Sequence, residues 1–252
     1  MEREIQEWLS ELEAEQGIRI LFAGESGSRA WGFASPDSDY DVRFIYAQPA
    51  SWYASIEERP DFIKGPQNEV LDIVGYDIRK ALRLFRASNA KIYEWIQSPI
   101  LYRQDPSFLD DLRSNINSYY SLRAGLHHYL GLTRNTMEQY LQGKEVNLKK
   151  YFYALRPVLA ALWIKTYQRC PPMVFEPLRS LITNADLNAR IDRLLALKAV
   201  APEGHLIKHD AVIHTFIQET WDDCLRYAKG LEKKETEATP LNHLFRKTIG
   251  LL

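Results

Sequence analysis

The chain has 252 residues, 46% of them apolar and 26% charged, with a net charge of −1. This describes an ordinary globular protein with room for one large or two small cores. No apolar run approaches the about 18 residues needed to cross a bilayer, the acidic, amphipathic start is unlike a secretory signal, and Cys170 and Cys224 form neither a disulfide framework nor a paired-ligand zinc motif. A cytoplasmic protein without a membrane partner is therefore expected.

Glu2 to Gln16 reads as a helix, with Ile5, Trp8, Leu9 and Leu12 on one stripe and glutamates opposite. Gly17 ends it, and Ile18 to Ala23 forms a first strand. Ser28 to Trp31 starts a short helix at a Gly-Ser turn, Pro36-Asp-Ser-Asp is loop chemistry, and Val42 to Tyr46 continues a second strand. Residues 47–69, with Pro49, Pro60, Gly65 and Pro66, read as irregular apart from one turn of helix. Val70 to Tyr76 is a third strand.

The pattern then becomes helical. Asp77 to Ala87 places Ile78, Ala81, Leu82 and Phe85 on one face and four basic residues away from it. Ser88 is expected to cap a helix running to Gln97, which Ser98-Pro99 stops. Ile100 to Tyr102 adds a short strand. Beyond Asp105-Pro106 nearly everything reads as helix, broken near Pro171-Pro172, Asn184 and residues 201–204, with an exposed linker at 233–240 before a short last helix. The fold class is α+β: a mixed sheet with helices over 1–105, then an all-α module over 106–252.

The chemistry is concentrated early. Ile20-Leu21-Phe22-Ala23 leads into Gly27-Ser28, and two acids follow as Ser38-Asp-Tyr-Asp41. If the second strand is regular, Asp39 and Asp41 project from one face, because strand side chains alternate. Carboxylates that close repel unless a cation lies between them. A Gly-Ser turn can offer backbone N–H groups to a phosphate. Paired carboxylates beside a phosphate-holding turn are the minimal equipment for nucleotidyl transfer with paired metal ions. Alone, such an Asp-x-Asp is more often an Asx turn.

These residues resemble the signature of the DNA polymerase β nucleotidyltransferase superfamily. The chain is most similar there to the predicted nucleotidyltransferases associated with RNA ligases. Gly75-Tyr-Asp-Ile-Arg-Lys80, Ser88-Asn89, Glu94-Trp95 with Ser98-Pro99, and Lys149 to Pro157 look like that family's later blocks, so the likeness spans roughly residues 18 to 180. The resemblance implies a nucleotidyltransferase-type sheet. It also implies a Mg²⁺-dependent enzyme that moves a nucleoside monophosphate from an NTP to an acceptor hydroxyl, releasing pyrophosphate. Two Mg²⁺ ions are implied, with Mn²⁺ as an alternative, all held by oxygen ligands. An RNA end and an RNA-repair protein are the suggested acceptor and partner. A nucleotide-binding or RNA-binding partner that performs no transfer is the competing reading.

Asp39, Asp41 and a third acid are the expected catalytic and metal-binding set. Asp72, inside the third strand, fits the third position; Asp77 is its rival, with a helix N-cap as its ordinary role. The resemblance favours the strand position. Gly27, Ser28 and Arg29 are placed at the triphosphate, and Arg43 either contacts phosphate or neutralises the acids. Residues 1–43 carry ten acids and four bases, whereas 123–179 carry nine bases and three acids. Within that basic stretch Lys149, Lys150 and Arg156 are candidate nucleotide ligands, Lys149 and Arg156 sharing a helical face near Tyr153. A solvated basic helix is the ordinary alternative.

Overall fold

In the computed structural model, residues 1–252 are described apart from Glu69 and Glu203. Expectations that touch those two positions, at the end of the 47–69 segment and inside the 201–204 break, lie outside the described residues. The chain divides into two compact units. The first comprises Met1–Gly27, Asp39–Tyr119 and Glu235–Leu252, and the second Ser28–Ser38 and Tyr120–Lys234.

The first unit begins with helix α1 (Glu2–Gln16), which buries Ile5, Leu9 and Leu12 as its apolar stripe requires. Gly17, at φ 63°, caps it in the left-handed region where only glycine avoids a steric cost. Five strands follow: β1 (Arg19–Glu25), β2 (Tyr40–Ala47), β3 (Phe62–Gln67), β4 (Leu71–Asp77) and β5 (Leu101–Gln104). Their order is β3-β4-β2-β1-β5. Among the described residues, only the β2–β4 pair is parallel; β1 runs antiparallel to β2 and β5, and β3 antiparallel to β4. The sheet is therefore mixed, as the α+β reading expects.

Strand alternation sorts β2 into two faces. Val42, Phe44 and Tyr46 join α1's buried side chains in one core, with Trp8 edge-on to Phe44 at 6.0 Å. Asp41 and Arg43 are on the other face and stay half-buried. Around the sheet lie the short helix α3 (Ala50–Tyr53), then α4 (Ile78–Arg86), α5 (Ala90–Trp95), α6 (Pro106–Ser114) and α7 (Ile116–Tyr119); the short helix α2 (Gly27–Trp31) follows β1 in the chain and, from Ser28 on, belongs to the second unit.

Two expectations need correction in this unit. The segment after residue 46 is not irregular throughout, since it contains strand β3. Its Gly65 and Pro66 hid it, and an edge strand tolerates both because one side of its ladder is unpaired. Ser88 does not cap α5. Asn89 does, accepting from Lys91 N at 3.1 Å, while Ser88 adopts φ 56° and donates its hydroxyl to the Tyr119 carbonyl at 3.0 Å.

The second unit is built on α8 (Leu122–Tyr140), α9 (Leu148–Tyr167) and α12 (Ala211–Ala228), which pack on one another. Between them run α10 (Phe175–Arg179) and α11 (Ala185–Lys198), the latter capped by Asn184. Helix α9 is apolar nearly all round and is the centre of this unit. Its Pro157 cannot bond the carbonyl of Tyr153; the Thr136 hydroxyl donates to that oxygen at 3.5 Å instead. A two-stranded sheet of β6 (Glu145–Asn147) and β7 (Leu206–Lys208) was not expected in a helical region. Three-residue strands are too short to show alternation. The last helix, α13 (Thr239–Thr248), packs on α4 and α6 in the first unit.

Candidate active site

Parallel pairing of β2 with β4 makes Asp41 and Asp72 cross-strand partners. Arg43, two residues along the same face, reaches both. Its Nη2 donates to Asp41 Oδ1 and to Asp72 Oδ2, each at 2.7 Å, and its Nη1 to the Asp72 carbonyl at 2.9 Å. The three side chains are 17 to 26% exposed, so solvent screens this cluster only in part. Two carboxylates thus converge on one cationic nitrogen. Of the two roles open to Arg43, the geometry displays neutralisation of the acid pair.

Two further features fix Asp41. Gly27 has φ 61°, and a Cβ built there would lie 2.1 Å from Asp41 Oδ2, so the carboxylate occupies space that only glycine leaves open. Glu25, 1% exposed, accepts the backbone N–H of Asp41 at 2.7 Å and the hydroxyl of Tyr102. Desolvation, then that carboxylate, raises the Tyr102 pKa. Glu25 went unnoticed in the sequence, where an acid ending an apolar strand looks like a surface residue. Asp39 stands one residue ahead of β2 and is half-buried. Among the described residues, no three His, Cys, Asp or Glu side chains are grouped so as to hold a metal.

Asp77 has another occupation. It caps α4, accepting from Arg79 N at 2.8 Å and from the Tyr53 hydroxyl at 2.7 Å. It is 1% exposed, and burial raises its pKa despite those bonds.

Ser28 and Arg29 belong to the helical unit with the rest of residues 28–38. There Phe33 stacks on Phe152 at 5.1 Å and Trp31 meets Tyr153 edge-on at 5.5 Å. The buried hydroxyls of Ser28, Ser35 and Ser38 are linked: Ser28 to Ser38 at 3.0 Å, and Ser35 to Ser38 at 3.2 Å. Lys198, also buried, donates to Ser35 Oγ at 2.9 Å. Arg29 clasps the Ser38 carbonyl with Nε and Nη2, at 3.2 and 2.7 Å. Lys198 lies 163 positions from Ser35, so no local pattern in the sequence signals this contact.

Lys149 and Lys150 flank Tyr153 as expected, their ammonium groups 5.4 and 5.5 Å from its ring centre. Both are half-buried. Arg156 differs. It is 3% exposed, lies 4.5 Å over the Trp31 ring and donates Nε to the Met173 carbonyl at 3.0 Å. Its helical face is the inner one, because α9 is covered on nearly every side.

The sequence profile of RlaP, described as the RNA repair pathway DNA polymerase beta family, matches residues 1–247. The chain belongs to that family. This RlaP-family chain is 41% identical over 251 residues to the uncharacterized protein YcgL of Bacillus subtilis (strain 168), covering 99% of itself and 96% of that protein. A solved structure of a nucleotidyltransferase-like protein from Exiguobacterium sibiricum 255-15 aligns with 100% of the chain and 89% of its own, at 15% identity and a TM-score of 0.33. The RlaP family is nucleotidyltransferase-like and associated with RNA repair. Among the described residues, no helix of this RlaP-family chain is long and apolar enough to cross a membrane.

Proposed function

We propose that the protein is a Mg²⁺-dependent nucleotidyltransferase that moves a nucleoside monophosphate from an NTP to a hydroxyl, an RNA end being the acceptor class its family suggests. The observation that carries this reading is the convergence of Asp41 and Asp72 on one cationic nitrogen beside the Gly27 backbone. The donor set is all oxygen, as Mg²⁺ and Mn²⁺ prefer, and the position between the acids already suits a cation. Asp41 and Asp72, with Asp39, are the residues that would hold the ions once the Arg43 guanidinium turns aside. Bound there, two ions would compensate phosphoryl charge and acidify the acceptor hydroxyl.

The chain's own residues account for the rest. The acceptor oxygen bonds to the α-phosphorus as the bond to the bridging oxygen breaks, and pyrophosphate leaves. Asp72 takes the hydroxyl proton. Gly27, Ser28 and Arg29 bind the triphosphate, and Arg43, released from the acids, offers its planar fork to a phosphate. Lys149 and Lys150, in the helical unit, are proposed as nucleotide ligands of that unit. Arg156 serves that group as a positioning residue, since its contacts are with Trp31 and the Met173 carbonyl.

The experiment is label transfer from each α-labelled NTP, with Mg²⁺ and RNA as acceptor, by wild type and by Asp39→Ala/Asp41→Ala. Label on RNA with wild type alone supports the proposal; equal transfer by both proteins sinks it. The same arginine favours one competing reading, because a guanidinium that neutralises both acids is also what a non-catalytic nucleotide-binding or RNA-binding partner would keep. Nucleotide binding with no pyrophosphate release from any acceptor would select that reading.

A further inference from the structure

Helix α4 carries Arg79, Arg83 and Arg86 at i, i+4 and i+7, a spacing that aligns them on one face. That face and α13 enclose a groove of about 290 Å³, floored by Leu241 and bordered by Asn242 and Phe245. No acidic side chain lines it among the described residues. Arg83 and Arg86 are exposed. Arg86 donates Nη2 to the Thr236 carbonyl at 3.0 Å, a bond that aims the guanidinium without cancelling its charge. Arg79 lies against two rings that meet edge-on, 4.8 Å from the Tyr53 ring centre and 5.6 Å from that of Phe245. The adjoining cavity holds the exposed acids Glu57, Glu58 and Asp61; Asp61 is paired with Lys80 at 2.8 Å and Glu57 with Arg59 at 3.9 Å. The groove is thus a line of arginines with an apolar floor and an aromatic wall.

The geometry points to a binding groove for single-stranded RNA. Seven helical steps span about 10 Å, so the guanidiniums form a row along which the phosphates of a strand can lie. Planar guanidiniums suit phosphate oxygens two at a time. The half-buried Phe245 ring and the leucine floor offer a base the stacking surface that an acidic peptide would not need. The choice of RNA over other strands rests on the RNA acceptor proposed above. The groove itself does not, for α4 follows the C-terminal end of β4 while Asp72 stands near its N-terminal end.

The test is fluorescence anisotropy of a labelled single-stranded RNA oligonucleotide with the full chain at several salt concentrations. Wild type should bind with a steep salt dependence. Arg83→Glu/Arg86→Glu should bind about ten-fold or more weakly, with a salt slope smaller by about 1.4 for the two lost contacts. Phe245→Ala should weaken binding without changing the slope. Circular dichroism and thermal melting verify that each variant is folded, and Arg83→Gln/Arg86→Gln provides a milder pair should the glutamates fail to fold. Binding is read without nucleotide or Mg²⁺, so its outcome does not depend on transfer, which separates this inference from the transfer reading. No RNA binding by wild type, unchanged binding by both arginine double variants, or equal affinity for an acidic peptide of matched charge would each overturn the groove.

Discussion

Asp41 and Asp72 stand opposite each other across the parallel β2–β4 pair, and Arg43 Nη2 is 2.7 Å from both. Acids in that register would repel; the arginine makes them a stable unit until another cation takes its place. Replacing it exposes both properties. Arg43→Met removes two partly screened ion pairs, worth about 1–2 kcal/mol together, so the Tm in chelator should fall by about 3–6 °C. Mg²⁺ should restore most of that loss in the variant and shift wild type less. A variant indifferent to Mg²⁺ would argue against the cation site.

Gly27 is the second sensitive point. Alanine there would put a methyl group 2.1 Å from Asp41 Oδ2 in a backbone region costly to any side chain. Gly27→Ala should cost about 1–3 kcal/mol of stability and abolish nucleotidyl transfer, because the carboxylate must move. Denaturant titration alongside the transfer assay checks both. Wild-type turnover in a folded variant would show that this close approach has no catalytic meaning.

Asp77 yields a pH prediction. Burial raises its pKa in the folded protein, so the folded state holds its proton more tightly than the unfolded chain. Its stabilising contribution is therefore complete below the unfolded value of about 4 and is lost as pH rises through the raised folded value. Stability measured by denaturant from pH 4 upward should decline in wild type and stay flatter in Asp77→Asn, which keeps a capping oxygen for Arg79 N. Asp77→Ala should cost about 1 kcal/mol more through the lost cap. Transfer should survive Asp77→Asn and fail in Asp72→Asn; the reverse would exchange their roles.

Thiol chemistry probes the helical unit. Cys224 is buried in α12, and its thiol is pushed up to about 12, chiefly by desolvation. The attacking species is the thiolate. A disulfide reagent at pH 8 should therefore titrate Cys170 in the native protein and both cysteines only after unfolding. Two fast native equivalents would place Cys224 nearer the surface.

Elements written in local patterns were legible from the residues alone. The amphipathic stripe of α1 and its glycine cap, the apolar core of β1, and the α4 periodicity need only neighbours within a few positions, and the structure places them within a residue or two of the expected bounds. Strand β3 and the β6–β7 pair were not legible, because pairing with a distant strand, rather than their own pattern, makes them strands. Asp41, Asp72 and Gly27 were likewise nameable as candidates from residue type and spacing.

By itself, the sequence determined the helices, the sheet's principal strands, and the acids and glycine that suggest nucleotidyl transfer, all carried by short-range periodicity and motif spacing. Only the tertiary structure decided that β2 and β4 pair in the register setting Asp41 beside Asp72, that Arg43 bridges them, and that Glu25 secures the Asp41 backbone. It alone decided that Asp77 is a buried cap, that Arg156 is packed on Trp31, and that three α4 arginines share a groove with α13. The reason is physical: those contacts join residues far apart in the chain, and their geometry follows from strand register and packing, which exist only once the chain has folded.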